Sequence, residues 1–456
     1  MNIESPLPLF EYQKKGVTFL HSIGSGVLGD SPGVGKTLQV IALAEHNEAK
    51  KILVFCPAVL KHQWANELKI FVPHRKSVVI EGTKTERAVL WKQEADYYIV
   101  NYELLLRDFE AMNSREWDYI LADEATKISN ARAKQSRMIK KLQSKHRVAM
   151  SGTPIANKAQ DVWNLVDWTN PGVLGNYWGF IQRYCLKNKW GGIFGYQNME
   201  ELRTRLQKYM IRRTKEEVLP DLPEKITTDV PFILSEEEMI LQKKIKQEIL
   251  HEIQAEDISK IEHPMRLQFT IAKFQRLRML ANSLELLGEN KKSSKLEVLQ
   301  ELLREQIEDD RKVIIFSEFA EMCKILKREL AEYNPVIIIG ETPNKGRQAL
   351  LDQFNTIPTH RICVMSSAGT YGLNITSASV IINYDLPFSL SKLDQRVGRA
   401  HRYGQKNKVH VFNLLGKGTA DEAIQKIIHA KAKLSDDLLG NLPVSMDDIK
   451  QMLTYD

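Results

Sequence analysis

Short runs of apolar, β-branched residues recur along this chain at intervals long enough to hold a helix between them. Runs of this kind predict the buried strands of a parallel sheet with helices on both faces. Four lie in the first third of the chain: ILVFC (52–56), YYIVN (97–101), YILA (119–122) and VAM (148–150). Five lie in the last third: VIIFS (313–317), VIII (336–339), ICVM (362–365), VIINY (380–384) and VHVFNLL (409–415). The sequence therefore predicts an α/β protein with two parallel-sheet lobes.

The region between these two groups of strands has a different residue pattern. From about Asp161 to Leu303 strand signals are rare and helical periodicity predominates, which predicts helical insertions between and beside the lobes. Two prolines in LPDLPEK (219–225) would stop a helix and mark a hinge. The predicted domains are lobe 1 at 1–172, a helical protrusion and hinge at 173–225, a helical insertion at 226–294, lobe 2 at 295–420 and a C-terminal helical segment at 421–456.

The composition of the chain says more about its cellular compartment than about any reaction it catalyses. The net charge of +7 is small for 456 residues, so clustering of the basic residues is more informative than their total. The four cysteines are scattered without a CxxC pair, which argues against a zinc site and against disulfides. No leader-like segment or apolar run of membrane-spanning length is present. The sequence predicts a soluble intracellular protein, with the cytoplasm of a bacterial or viral system favoured over a nucleus.

The segment GDSPGVGKT (29–37) has the pattern of a phosphate-binding loop that leads into a helix. Glycines let backbone N–H groups wrap a phosphate, the lysine meets the β- and γ-phosphates, and the threonine hydroxyl binds magnesium. The alternative is an ordinary glycine-rich turn, and Asp30 stands where the general pattern has glycine. The predicted nucleotide-binding residues of this loop are Ser31, Pro32, Gly33, Val34, Gly35, Lys36 and Thr37.

The segment WDYILADEAT (117–126) predicts a strand that delivers two carboxylates, Asp123 and Glu124, at its carboxyl end. Ligands of open α/β sheets bind at that end of the strands. Asp123 would hold magnesium, together with Thr37, and Glu124 would orient or deprotonate the attacking water. A solvated acidic loop is the alternative for the pair taken alone.

The segment DQRVGRAHRYGQ (394–405) concentrates three arginines behind a single acid. If it is helical, Gln395, Arg399 and Arg402 share one face, while Arg396 points away from that face. The face then meets either solvent or an anion. Arg396 is predicted to contact another lobe or a DNA phosphate.

These segments belong to a longer ordered series that resembles the motifs of superfamily 2 helicases. The remaining members are FEYQKKGV (10–17), VFCPAVLKHQW (54–64), SGTP (151–154), VIIFSEF (313–319) and GLNITSA (372–378). YMIRRTKEEVLPDLPEK (209–225) and HRYGQ (401–405) are similar to signatures of the Swi/Snf-type ATPases. The resemblance covers nearly the whole chain. It implies two RecA-like lobes that hydrolyse ATP with Mg²⁺ and move along double-stranded DNA.

The resemblance also implies roles for individual residues. Gln13 would read the adenine edge, and Arg399 and Arg402 would reach the γ-phosphate from the second lobe. Gln395 is predicted to lie beside these arginines in the nucleotide site. The implied catalytic residues are Lys36, Asp123, Glu124, Arg399 and Arg402. The residues implied to couple the nucleotide to motion are Ser151, Thr153 and Gly372.

DNA contacts follow from family position and from charge. The residues placed by family position are Lys61, Gln63, Ser366, Ser367 and Gly369. A basic helix that includes Arg212 and Arg213 is a further candidate, with a solvated helix face as the alternative. Departures from the family pattern are Thr126, Thr370, Phe388 and Arg396, where relatives carry histidine or glutamine, glycine, a WNP segment and a small residue.

The motor fold alone does not choose a cellular task. The segment RYCLKNKWGGIFGYQNMEELRTRL (183–206) is similar to the annealing-helicase and fork-remodelling branch of the family. This similarity favours an ATP-driven translocase that acts on forked or branched DNA in repair, recombination or replication. The alternatives are a remodeller that displaces DNA-bound proteins, a conventional strand-separating helicase, and an ATP-gated DNA-binding scaffold with negligible turnover.

Overall fold

Each of the two compact units of this protein is built on one parallel sheet, as the sequence predicts. The computed structural model describes residues 7–152, 159–187, 193–255, 274–289, 291–307, 311–367, 375–426 and 428. Within these ranges the first unit ends at Pro220 and the second begins at Asp221. The α/β fold with two parallel-sheet lobes is thereby confirmed. Across the described ranges, no helix combines the length and the apolar character that crossing a membrane requires.

The sheet of the first unit has seven strands, all in parallel pairings. Two of its inner strands, ILVFC (52–56) and YYIVN (97–101), are buried at every position except Asn101, which explains why they read as almost continuous apolar runs. In spatial order the strands are β3 (Ser77–Val79), β4 (Tyr97–Asn101), β2 (Ile52–Cys56), β5 (Trp117–Ala122), β6 (Ser144–Met150), β1 (Gly26–Leu28) and β9 (Met210–Ile211).

Helices connect these strands and cover the sheet. Their apolar sides join one core with the strands, around fully buried aromatic residues such as Trp117 and Trp168. The helices are α1 (Glu11–Ile23), α2 (Lys36–His46), α3 (Lys61–Phe71), α4 (Lys84–Lys92), α5 (Phe109–Asn113), α6 (Lys134–Ile139), α7 (Ala159–Thr169), α8 (Tyr177–Tyr184), α9 (Met199–Leu206) and α10 (Lys215–Val218). An antiparallel pair, β7 (Cys185–Lys187) and β8 (Ile193–Tyr196), interrupts the region predicted to be helical.

The sheet of the second unit has six parallel strands. Alternate residues of its inner strands enter two different cores; Ile315 faces one and Phe316 the other. In spatial order the strands are β10 (Lys225–Phe232), β15 (Val409–Gly416), β14 (Val380–Asn383), β11 (Val313–Ser317), β13 (Ile362–Ser366) and β12 (Val336–Ile338).

The prediction of helix from residue 226 is wrong at its start, because β10 occupies Lys225–Phe232. This strand pairs with β15 along its whole length, from Lys225 opposite Val409 to Phe232 opposite Gly416. Its side chains are mostly exposed, since it lies at the edge of the sheet, where polar residues and proline are tolerated. An edge strand of this kind carries no apolar run for the sequence to reveal.

The helices of the second unit include the long segment predicted between the lobes. They are α11 (Glu236–Ala255), α12 (described over 274–282), α13 (Ser294–Ile307), α14 (Ala320–Glu329), α15 (Asn344–Thr356), α16 (Leu390–Val397) and α17 (described over 420–426). In α13 the residues Leu296, Leu299 and Leu303 are buried against the sheet, at helical spacing. All four cysteines of the chain are free thiols and all are buried: Cys56, Cys185, Cys323 and Cys363.

Candidate active site

The glycine-rich loop connects β1 to the first residue of α2, Lys36. Gly33 and Gly35 have φ values of 86° and 75°, in the left-handed region that favours glycine. A Cβ at Gly35 would also collide with the Gln13 amide nitrogen. Lys36 Nζ donates hydrogen bonds to the carbonyls of Asp30 at 2.8 Å and Ser31 at 3.2 Å. The loop therefore curls over its own lysine, as phosphate-binding loops do.

Gln13 is buried against this loop. Its amide nitrogen donates to the Val34 carbonyl at 3.2 Å, and its amide oxygen accepts from the Phe10 backbone N–H at 2.9 Å. The Tyr12 hydroxyl donates to the same Val34 carbonyl at 2.9 Å. The start of α1 and the glycine-rich loop thus form one hydrogen-bonded structure, which brings the predicted adenine-reading residue to the predicted phosphate loop.

Asp30, the residue that replaces glycine in the general pattern, is fully buried and ion-paired with Arg213. Arg213 Nε donates to Asp30 Oδ1 at 3.0 Å and Nη2 donates to Oδ2 at 2.5 Å. Gln39 Nε2 donates to the same carboxylate at 3.2 Å, and Arg213 also donates to the Tyr12 carbonyl. A buried carboxylate needs such partners because its desolvation is costly. The substitution at position 30 therefore ties the loop to the segment that follows β9.

The acid pair lies at the same edge of the sheet as the glycine-rich loop. Strand β6 pairs with β5 on one side and with β1 on the other, all parallel, so their carboxyl ends meet. Asp123 follows β5, and its Oδ2 accepts a hydrogen bond from Trp64 Nε1 at 2.9 Å. Burial raises the pKa of the Asp123 carboxyl, while the Trp64 hydrogen bond and the charge of Lys36 oppose that rise.

Glu124 has φ 49° and ψ 50°, a left-handed conformation that is unusual for a residue with a side chain. Its backbone N–H donates to Asp123 Oδ1 at 2.9 Å. Conformations of this kind cost about 1–3 kcal/mol and cluster at functional sites. No residue pattern around position 124 indicates this turn, which sets the direction of the second carboxylate.

The donor set of this edge suits Mg²⁺, which prefers hydroxyl and carboxylate oxygens. Thr37 lies in the first turn of α2. The Asp123 carboxylate is largely shielded from water, and it lies close enough to Lys36 for the lysine charge to favour its ionised form. Ser151 directly follows β6; it is buried, and its backbone N–H donates to Leu28 at 3.1 Å. Thr153, Gly369 and Gly372 lie outside the described residues.

The arginine segment of the second unit begins on α16 but does not remain helical. The regular helix ends at Val397, so Arg399 and Arg402 lie beyond it in a succession of hydrogen-bonded turns. The prediction that one helix face carries Gln395 together with these arginines is therefore wrong. The turns are fixed from inside by Gln405, whose amide nitrogen donates to the Ala378 carbonyl at 2.8 Å. Gly398 caps the regular helix in a right-handed conformation, with φ −63°.

Arg396 is buried inside the second unit, with a side chain 2% exposed. Its Nη1 donates to Asn383 Oδ1 at 3.0 Å and to the Asp385 carbonyl at 2.7 Å. Its Nη2 donates to Glu318 Oε1 at 2.7 Å and to Ser367 Oγ at 3.3 Å. The prediction that Arg396 contacts another lobe or a DNA phosphate is therefore wrong.

The residues predicted to contact DNA fall into two groups. Lys61 is buried, and its Nζ donates to the Ile80 carbonyl at 2.9 Å. Ser366 is also buried, and Arg213 is ion-paired with Asp30, so burial or an internal partner opposes a DNA role for each of the three. Gln63 and Ser367 are half-buried, and Arg212 is exposed. Gln63 donates to Glu67 at 2.8 Å, and the Ser367 hydroxyl is hydrogen-bonded to Glu318 and Arg396. The predicted basic helix ends at Leu206, before Arg212.

Known protein families match most of this chain. The family model described as the SNF2-related domain matches residues 12–286, and the helicase conserved C-terminal domain matches residues 294–404. An uncharacterized ATP-dependent helicase of Mycoplasma genitalium is 29% identical over 441 residues, which cover 93% of this chain and 42% of the relative. YwqA of Bacillus subtilis carries the name of an ATP-dependent helicase/translocase. It is 29% identical over 476 residues, and the match covers 97% of this chain and 50% of the relative.

Among solved structures, the chain is similar to the SWI2/SNF2 ATPase core of Sulfolobus solfataricus in complex with double-stranded DNA. The identity is 29%, the TM-score is 0.47, and the match covers 100% of both chains. The chain spans half or less of the length of the two curated relatives above.

Proposed function

Because this chain belongs to the SNF2-related family of ATP-dependent helicases, we propose that it hydrolyses ATP to move along double-stranded DNA. Its substrates are forked or branched DNA molecules in repair, recombination or replication. The observation that carries the ATPase activity is the sheet edge where the glycine-rich loop after β1 and the acid pair after β5 flank the end of β6. The similarity of residues 183–206 to fork-remodelling proteins supports the choice of substrate.

In the proposed reaction the first unit binds ATP. Gln13 contacts the adenine edge, and the backbone of residues 31–35 surrounds the phosphates. Lys36 exchanges its two carbonyl partners, Asp30 and Ser31, for the β- and γ-phosphates. This exchange is favoured because the ammonium group already lies against the loop that surrounds the phosphates. Thr37 and Asp123 would hold Mg²⁺, which would supply positive charge that neutralises the β- and γ-phosphates.

Hydrolysis then requires a positioned water. The Glu124 carboxylate accepts a hydrogen bond from the water, orients it in line with the γ-phosphate and receives its proton. The second unit supplies Arg399 and Arg402, whose charges stabilise the phosphoryl oxygens in the transition state. Arginines that act in this way raise the rate by about 10³-fold or more. Hydrolysis therefore depends on both units, which is what a motor requires.

DNA is held through its phosphates, because a motor must grip features that every sequence shares. We assign Gln63, Ser367 and Arg212 to this contact. Lys61, Ser366 and Arg213 are left out of the assignment because their side chains are enclosed by the protein.

Duplex and forked DNA are expected to stimulate ATP hydrolysis, with a fork giving the larger effect. The measurement is steady-state ATPase rate with linear duplex, forked DNA, Holliday junctions and RNA of equal nucleotide content. Stimulation by all nucleic acids equally, RNA included, would contradict a duplex-tracking motor. Equal stimulation by linear and forked DNA, together with ATP-driven removal of a protein block from linear DNA, would favour the remodeller instead.

Replacing Gln13 by alanine is expected to raise the KM for ATP about tenfold, the effect of losing one or two hydrogen bonds to a base. The KM for GTP should rise less, because Gln13 is proposed to recognise adenine. The measurement is the ratio of the two KM values in wild type and variant, with the exposed Gln207→Ala as control. An equal rise of the KM for ATP and for GTP would mean that Gln13 only supports the loop, through its hydrogen bond to the Val34 carbonyl.

A further inference from the structure

The interior of the second unit holds a charged network at the point where three strands end. Arg396 lies at its centre, 1% exposed, with its guanidinium carbon 5.4 Å from the centre of the Phe316 ring. Removing an arginine from water is costly unless an acid and several acceptors receive it. Its nearer acid is Glu318, which directly follows β11 and lies 2.7 Å away, and a second buried carboxylate, Asp385, lies 3.9 Å away.

Glu318 is ionised at neutral pH. Burial by itself would raise the pKa of the Glu318 carboxyl, but Arg396 and then Lys392 outweigh burial and lower the pKa to about 2. The pair is therefore a true ion pair under working conditions, with Lys392 Nζ 3.4 Å from the second carboxylate oxygen. Charge-assisted hydrogen bonds of this kind are short and about twice as strong as neutral ones, so the pair holds its neighbours in a defined arrangement.

The same network reaches Ser367, which directly follows β13. The Ser367 hydroxyl donates to Glu318 Oε1 and accepts from Arg396 Nη2 at 3.3 Å. On the other side, the Arg396 carbonyl accepts a hydrogen bond from the Arg399 backbone N–H at 3.1 Å. Arg396 thus stands between a proposed DNA-contacting residue and the turn that carries the proposed catalytic arginines.

We infer that Arg396 and Glu318 are positioning residues that link Ser367 to the turn bearing Arg399 and Arg402, so that bound DNA accelerates ATP hydrolysis. This inference rests on the proposed function, because it takes Ser367 as a DNA contact and the two arginines as catalytic. Arg396 stands where the family resemblance expects a small residue. The link is therefore a property of this chain's own side chains.

The test measures ATPase kcat without DNA and with saturating duplex DNA. Arg396→Ala and Glu318→Gln are each expected to reduce the stimulation by DNA about tenfold, a size common for coupled sites. The basal kcat should change less than about twofold, since neither side chain touches ATP. Arg396→Lys keeps the charge and should restore part of the stimulation. Lys392→Ala is the matched control, because it contacts the same glutamate from the surface and should leave stimulation unchanged.

The double variant Glu318→Gln with Arg396→Met removes both charges of this ion pair together and guards against misfolding of a single variant. The buried Asp385 carboxylate keeps Arg278 as its partner, at 3.8 Å. It should show the same loss of stimulation as either single variant, because the two residues act as one unit. Basal and stimulated rates that fall in proportion would mean a structural role only and would overturn the inference. Full stimulation of the folded double variant would overturn it as well. If wild-type protein is not stimulated by DNA at all, the proposed function itself fails first.

Discussion

Replacing Glu124 by glutamine should abolish turnover of ATP while leaving ATP binding intact. The amide keeps the shape and hydrogen-bonding reach of the side chain but does not accept a proton from water. Losing a general base costs about 10²–10⁴ in rate. The measurement pairs steady-state ATPase with equilibrium binding of a fluorescent ATP analogue. We expect kcat to fall by that factor and the Kd to stay within about threefold of wild type.

The control for this prediction is Glu116→Gln, the same chemical change at an exposed position of the same unit. It should hydrolyse ATP at the wild-type rate. Wild-type turnover by Glu124→Gln would remove Glu124 from the reaction and leave the unusual left-handed turn at this residue without a catalytic reason. Loss of both binding and turnover would instead indicate that the acid pair supports the glycine-rich loop.

Replacing Arg213 by alanine should destabilise the first unit strongly. The change leaves the Asp30 carboxylate fully buried without its ion-pair partner, and breaking such a pair on one side costs about 3–5 kcal/mol. All seven tryptophans of the chain precede Pro220, so their fluorescence during urea unfolding reports on the first unit alone. The free energy of unfolding from that signal is the measured quantity.

Arg212→Ala is the control, since it removes the neighbouring arginine from the surface and should leave the unfolding curve unchanged. The two variants should also separate in DNA binding: Arg212→Ala weakens it with a smaller salt dependence. Asp30→Asn combined with Arg213→Ala should recover part of the lost stability, because no charge then stays buried unpaired. If Arg213→Ala unfolds like wild type, the ion pair is dispensable and Arg213 returns as a candidate DNA contact.

The sequence predicts the parts of this fold that depend on local pattern. Buried parallel strands give continuous apolar runs, and a glycine-rich loop between strand and helix is recognisable from spacing alone. Edge strand β10 was missed because its side chains are mostly exposed and it contains Pro231. The end of α16 at Val397 was missed because charges spaced for a helix outweighed the glycine that follows.

The polar interior was the least predictable part of the candidate site. Asp30 and Arg213 are 183 residues apart in sequence, and Glu318 and Arg396 are 78 apart. In each pair one residue, Asp30 or Arg396, departs from the general motif pattern. Its partner, Arg213 or Glu318, carries the opposite charge. Only the three-dimensional structure joins them, because charged residues are usually expected at the surface.

The buried cysteines described above have a practical consequence for following motion in this protein. Burial raises the pKa of the thiols of Cys185 to about 11 and of Cys323 to about 12, and it raises those of Cys56 and Cys363 as well. Maleimide dyes react with exposed thiolates, so the native thiols will be slow to label. Single cysteines introduced at exposed positions, such as Glu94 and Glu332, give each unit one dye without removing any native cysteine.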